Sequence, residues 1–321
     1  MTQKIVMLQP IGEEQENIIK SLLPEGFSVS AIKGRSPEDV KAGVADADYG
    51  VWWDLPITAD IVAAAPRIKL FHKWGVGIDN IDIEACRARG IRIARTTGSN
   101  AVPVAEATVG MMIAIARRIV QAHIGVVAGG WPKNEVWRHS ILVSGKTVGI
   151  LGLGAIGKGV AKRLRGFDCT ILYHNRNRLP EAEEQALGVQ YRTLDAMLSE
   201  CDILSLNCPL TPETAGLINA QKLGLMKKGS LLVNVARGGI VVEPDLVAAL
   251  KSGHLAGAAV DVFDQEPPPF DHPLLHMDNV ICTPHTATSA YENSRRSVSH
   301  WLGNILHVHK GEEIPAQDVV V

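Results

Sequence analysis

The segment Thr147-Val148-Gly149-Ile150-Leu151-Gly152-Leu153-Gly154-Ala155-Ile156-Gly157 restricts the fold of this chain more than any other. An apolar run leads into glycines spaced G-x-G-x-x-G, and Ile156, Val160 and Leu164 then recur at helical spacing. That pattern reads as a β-strand entering a helix through a tight turn. Gly152 allows the turn, Gly154 lets the backbone approach a pyrophosphate, and Gly157 lets the helix pack on the strand. Ala155 and Ile156 open the helix, whose free N–H groups and positive dipole end suit the phosphates. A second apolar run, Cys169-Thr170-Ile171-Leu172-Tyr173, completes the strand–helix–strand unit just before Asn175. NAD-binding versions usually place Asp or Glu about 20 residues on, to accept from the ribose 2′-hydroxyl. Here neutral Asn175 stands beside Arg176 and Arg178. Guanidinium groups welcome a 2′-phosphate that a carboxylate would repel, so the expected cofactor is NADP(H), with NAD(H) second.

Strand-like and helix-like runs alternate along the whole chain, which predicts an α/β protein with parallel sheets. Early strands are expected at Lys4–Leu8, Phe27–Ala31, Tyr49–Trp53, Ile68–His72 and Ile91–Ala94. Later ones are expected at Ile203–Leu206, Leu231–Val235, Ala258–Val262 and Val280–Thr283. Val104–Val120 reads as one long helix, apolar on nearly every face and therefore buried. The Gly/Trp-rich segment from Gly125 to Ser144 is too long and too apolar for a simple linker, and suggests a dimer arm. A final helix, about Thr288 to His309, is expected to return to the first domain. The predicted organisation is a substrate domain of residues 1–101 plus 289–321 and a dinucleotide-binding domain of residues 102–288. The arm falls at about 121–145.

At 321 residues the chain accommodates two domains of ordinary size. Charged residues make up 21% and the net charge is −2 without a basic block, which argues against nucleic acid as a partner. The start, Met1-Thr2-Gln3-Lys4-Ile5-Val6, lacks the layout of a signal peptide, and no apolar run approaches the length of a membrane span. The five cysteines are odd in number and scattered, with no zinc-like spacing, so no metal is expected. These features predict a cytoplasmic protein with reduced thiols.

Three further motifs sit at ends of the later strands, where ligands bind in an open parallel sheet. They are Asn234-Val235-Ala236-Arg237-Gly238-Gly239, Asp261-Val262-Phe263-Asp264-Gln265-Glu266-Pro267 and Thr283-Pro284-His285-Thr286. Each key residue has an ordinary structural explanation: a salt-bridge arginine, a loop carboxylate, a packed histidine. Meeting at one place, they suit reduction of a 2-keto acid. Arg237 holds the carboxylate bidentately and polarises the keto oxygen. His285 protonates that oxygen as hydride arrives, and Glu266 fixes the ring and stabilises imidazolium.

These motifs, together with Cys208-Pro209-Leu210-Thr211-Pro212-Glu213-Thr214, make the chain resemble the D-isomer-specific 2-hydroxyacid dehydrogenase family over nearly its whole length. The resemblance implies a dinucleotide domain inserted in a discontinuous flavodoxin-like substrate domain, and usually a homodimer built through the arm. It implies that Arg237, Glu266 and His285 are the catalytic set. Asp261 would contact the nicotinamide carboxamide, and Pro209, Thr214, Ala236 and Thr108 would line the cofactor site. In Lys73-Trp74-Gly75-Val76-Gly77-Ile78-Asp79, the amides of Val76 and Gly77 would bind the substrate carboxylate as an anion nest.

The substrate is less constrained. Relatives that oxidise phosphite carry a lysine where Val76 stands, and those that oxidise formate carry glutamine where Glu266 stands, so neither substrate is expected. Trp52-Trp53-Asp54-Leu55-Pro56 offers no cation for a phosphate. Trp53 either trims the pocket for glyoxylate or hydroxypyruvate, or stacks on an arylpyruvate ring; the small acids are favoured. Alternation along a strand makes one of Trp52 and Trp53 a core residue. A nucleotide-sensing binding protein without turnover is a further reading, since fold alone does not set function.

Overall fold

The computed structural model describes residues 2–321, which divide into two compact units. The first unit comprises residues up to Asn100 together with Ser289–Val321, and the second comprises Ala101–Thr288.

In the first unit, β1 (Gln3–Met7), β2 (Phe27–Ala31), β3 (Tyr49–Trp52), β4 (Leu70–Lys73) and β5 (Arg92–Arg95) form a parallel sheet ordered β2-β1-β3-β4-β5. The crossovers carry α1 (Glu13–Leu22), α2 (Pro37–Val44), α3 (Ala59–Ala63) and α4 (Ile83–Ala88). Ser36 starts α2 with a reciprocal capping box to Asp39, and Asp82 caps α4 through the amide of Ala85. β3 and β4 are buried along their whole length, as central strands of a parallel sheet require, although β4 carries His72 and Lys73.

The second unit opens with α5 (Ala101–Ala116), α6 (Ile119–Val127) and α7 (Lys133–His139). A doubly wound unit follows: β6 (Thr147–Leu151), α8 (Ala155–Leu164), β7 (Thr170–His174), α9 (Glu181–Leu187) and β8 (Val189–Tyr191). The rest is α10 (Leu194–Glu200), β9 (Ile203–Leu206), α11 (Ala220–Leu225), β10 (Ser230–Asn234), α12 (Glu243–Lys251), β11 (Leu255–Val260) and β12 (Val280–Cys282). Its seven parallel strands run β12-β11-β10-β9-β6-β7-β8, so strand order reverses between β6 and β9. Ligands of open α/β sheets sit at the carboxyl ends of strands beside such a reversal.

The long helix expected over Val104–Val120 is broken. Arg118 adopts a left-handed backbone with φ 54, and α6 bends away from α5 by 63°. Two carbonyls, of Ala256 and Asp278, hold the Arg118 guanidinium at the break. α5 itself is buried in the core of the second unit, with Met112 and Ile115 among the core side chains. The Gly125–Ser144 segment is partly helical and strongly apolar at its surface: Val127, Trp131 and Trp137 are 73%, 80% and 76% exposed. No single helix among the described residues is long and apolar enough to cross a membrane.

The chain returns to the first unit through α13 (Tyr291–Lys310), whose Trp301 and Ile305 are buried with Ile5, Tyr49 and Leu70. Beyond it, the last residues clip onto β5: Ile93 donates to the Val321 carbonyl at 2.9 Å, and Val320 donates to the Ile93 carbonyl at 2.9 Å.

Candidate active site

The glycine turn is built as the spacing requires. Gly152 has φ 96, and a Cβ there would fall 2.5 Å from the amide nitrogen of Cys208. A Cβ on Gly157 would fall 2.4 Å from the carbonyl oxygen of Gly152, so the helix can close on the turn only with glycine at both places. Nothing lies within 4 Å of where a Cβ on Gly154 would be, and no side chain caps α8, which begins at Ala155. The first amides of a ten-residue helix therefore face open space, a cradle that fits a pyrophosphate.

At the end of β7, Asn175 Oδ1 accepts from the amide of Leu153 at 2.6 Å, tying this strand to the glycine turn. With its oxygen so engaged, the remaining group of the amide is a donor, which a carboxylate at this place would not have. Arg176 is exposed next to it. Arg178, also expected at the cofactor, is engaged within the chain. Its Nε and Nη2 both lie 2.8 Å from the two oxygens of Glu184, a bidentate pair, and its guanidinium lies over the ring of Tyr191. Tyr173 donates to the same carboxylate at 2.6 Å, so Arg178 staples α9 to β7.

Three loops at the ends of β10, β11 and β12 carry Arg237, Glu266 and His285. Asn234 ends β10, buried to 2% exposure; its Oδ1 accepts from the amide of Ala236 and its Nδ2 donates to the carbonyl of Arg237, each at 3.0 Å. The loop that presents Arg237 is thus templated by a residue with no reactive role. Arg237 Nη1 donates to the Ala236 carbonyl at 2.7 Å.

His285 Nδ1 lies 2.7 Å from Glu266 Oε2, while Glu266 Oε1 accepts from the amide of Phe263 at 3.1 Å. Burial pushes the Glu266 carboxyl up. The hydrogen bond to His285, its charge, the Phe263 amide and the charge of Arg237 outweigh this and hold the group below the usual carboxylate range. An ionised Glu266 accepts from Nδ1 and fixes the ring, leaving Nε2 as the other ring nitrogen.

Other expectations shift. Asp261 is 1% exposed, and its carboxylate is taken up by its own chain. Oδ1 accepts from Thr283 Oγ1 and the amide of Thr286, and Oδ2 accepts from the amide of Ala287. These three bonds shape the loop that bears His285. Thr108 is fully buried, and its hydroxyl donates to the Val104 carbonyl within α5. Thr214 donates to the Pro209 carbonyl and accepts from the amide of Thr211, bracing the loop after β9 with Pro209 exposed at its start. Ala236 is buried under the Arg237 loop.

In the first unit, Trp52 is the core indole, and its Nε1 donates to Asn80. Trp53 is half-buried and stacks on Trp74 with ring centroids 4.3 Å apart at 25°. Lys73, buried behind them, reaches the Trp53 carbonyl and Asn80 Oδ1. Val76 and Gly77 lie in the half-buried turn after β4.

Residues 109–287 match the D-isomer specific 2-hydroxyacid dehydrogenase, NAD-binding domain. The chain belongs to this family. A glyoxylate reductase of Thermofilum pendens is 43% identical over 262 residues, covering 81% of this chain and 77% of that protein. The NAD-dependent formate dehydrogenase of Staphylococcus aureus, solved in complex with NAD, superimposes with a TM-score of 0.88 at 32% identity and covers 99% of both chains. A glyoxylate reductase from Paecilomyes thermophila superimposes with a TM-score of 0.83 at 30% identity, covering 99% of this chain and 98% of that one. The protein is accordingly an oxidoreductase of the 2-hydroxyacid dehydrogenase family with a Rossmann unit for a nicotinamide cofactor.

Proposed function

We propose that this dehydrogenase prefers NADP(H) and reduces glyoxylate or hydroxypyruvate to the D-2-hydroxy acid. The observation that carries the cofactor preference is the end of β7. Asn175 there is neutral and already bonded to the glycine turn, and exposed Arg176 is its neighbour. A 2′-phosphate meets a donor and a cation at this position instead of a carboxylate. The bound cofactor supplies the hydride. Arg237 binds the substrate carboxylate and polarises the keto oxygen, and in the first unit the amides of Val76 and Gly77 form an anion nest suited to a carboxylate. His285 delivers the proton to that oxygen, and Glu266 keeps the ring oriented while the imidazolium forms and discharges.

The substrate reading rests on the relatives named glyoxylate reductase and on the Trp53–Trp74 stack, a bulky wall that favours a small acid. The same stack favours a second reading, in which Trp53 receives an arylpyruvate ring. The exposed indoles of Trp131 and Trp137 support a homodimer through α6 and α7, and five unpaired cysteines suit a reducing cytoplasm. The test is initial-rate oxidation of NADPH and NADH against glyoxylate, hydroxypyruvate, pyruvate and 4-hydroxyphenylpyruvate. A higher kcat/KM for NADPH with either of the first two acids is expected. Turnover confined to 4-hydroxyphenylpyruvate would replace the small-acid reading with the aryl one, and equal use of NADH would refute the cofactor preference.

A further inference from the structure

Behind the catalytic loops lies a second histidine–carboxylate pair with no part in the proposed proton transfer. Glu243 begins α12, directly after the Arg237 loop, and its side chain is 14% exposed. Its Oε1 accepts from the amide of Asp264 at 3.0 Å, and its Oε2 lies 3.0 Å from Nε2 of His272, itself 13% exposed. The His272 tautomer follows from the network: Nδ1 accepts from the amide of Leu274 at 3.3 Å, so Nε2 bears the hydrogen and donates to Glu243. One carboxylate therefore grips the segment 264–272 at both ends, and Glu266 lies within it.

The two loops also meet through their backbones. A Cβ on Gly238 would fall 2.0 Å from the carbonyl carbon of Phe263 and 2.3 Å from the amide nitrogen of Asp264. The residue after Arg237 is thus pressed against the residue that donates to Glu266. The ring of Phe263 packs edge-on against His272, with centroids 5.6 Å apart, closing the junction from the other side. Asp264, whose amide donates to Glu243, has its own carboxyl raised by burial and by the charge of Glu243, with His272 opposing.

We propose that Glu243 and His272 are positioning residues for the reaction, holding the Glu266 loop in register with the Arg237 loop. The inference rests on Arg237, Glu266 and His285 being the catalytic set. The physical reason is that a mostly buried, charge-assisted clamp is stiff, and catalytic geometry tolerates little play. Misplacement by about 1 Å costs on the order of 100-fold in rate.

The test compares Glu243→Ala, Glu243→Gln, His272→Gln and His272→Phe with Glu266→Gln and His285→Ala. The measurements are kcat, KM, the NADPH dissociation constant, thermal midpoint and the pH profile of kcat/KM. Glu243→Ala is expected to lower kcat about 10–100-fold with NADPH affinity within about twofold. It should also displace the pH profile in the direction that Glu266→Gln does. The double variant Glu243→Ala/Glu266→Gln should be no slower than Glu266→Gln alone, because both changes remove one function. His272→Gln, which keeps a donor and an acceptor, should retain more activity than His272→Phe. A lowered thermal midpoint with unchanged kcat and pH profile, or additive effects in the double variant, would overturn the inference. Where Glu243→Ala does not fold, Glu243→Gln keeps one acceptor and serves the same comparison. Full turnover in His285→Ala would instead overturn the catalytic assignment itself.

Discussion

The amide of His285 donates to the carbonyl of Asp261 at 2.8 Å while His285 holds a left-handed backbone at φ 53. A non-glycine residue in that region carries strain of about 1–3 kcal/mol and persists only where its surroundings over-determine it. Asp261 supplies that determination, since its two carboxylate oxygens accept from Thr283, Thr286 and Ala287 on either side of the histidine. The His285 ring is presented by a buried carboxylate that never touches it.

Asp261→Ala leaves three donors without their acceptor and frees the loop. We expect a loss of about 2–4 kcal/mol of stability in denaturant unfolding, and a fall in kcat larger than any change in NADPH affinity. Unchanged stability would show that the loop holds His285 by other means.

His285→Ala removes the proton donor while leaving the glycine turn intact. Reduction should slow by about 10²–10⁴-fold. NADPH binding, read by quenching of tryptophan fluorescence, should stay within about twofold. Comparable turnover in this variant would sink the role of the histidine.

Arg176 and Arg178 should separate cleanly. Arg176→Ala is expected to raise the Michaelis constant for NADPH about tenfold and leave that for NADH nearly unchanged. Arg178→Ala removes the partner that holds the Glu184 carboxyl down to about 2, so its effect should be on stability and equal for both cofactors. A selective NADPH defect in Arg178→Ala would reverse this division.

The first unit should be acid-labile through His72. Burial pushes this imidazole down to about 3, and nearby charge from His300 adds to the effect, against the Lys73 carbonyl and Asp318. Its folded value lies below its unfolded one, about 6.5. The unfolded chain therefore binds more protons between these values, and stability falls as pH drops through that window. The slope approaches about 1.4 kcal/mol per pH unit. Asp318 is opposed by burial but lowered by hydrogen bonds from His300 and Asn304, so its contribution is complete above the usual carboxylate range and is lost further into acid. His72→Gln should flatten the dependence of the thermal midpoint on pH between about 6.5 and 4. An unaltered slope would refute the assignment.

The glycine turn could be read from the sequence because all its requirements are local: an apolar strand, three glycines at fixed offsets and a helix face. Arg237, Glu266 and His285 could be proposed because each follows an apolar strand at the end where parallel sheets bind ligands. The sequence by itself thus determined the parallel α/β architecture and the residues that meet at its edge. Only the tertiary structure decided their supports. Arg178 is paired with Glu184, which α9 brings beside it, and Asp261 takes up three donors that the chain after β12 delivers. The expected helix over Val104–Val120 gave way at Arg118 because two distant carbonyls hold its guanidinium at the break. In each case a charged group is assigned by whichever partner the fold brings within hydrogen-bond reach, and spacing along a chain does not encode that distance.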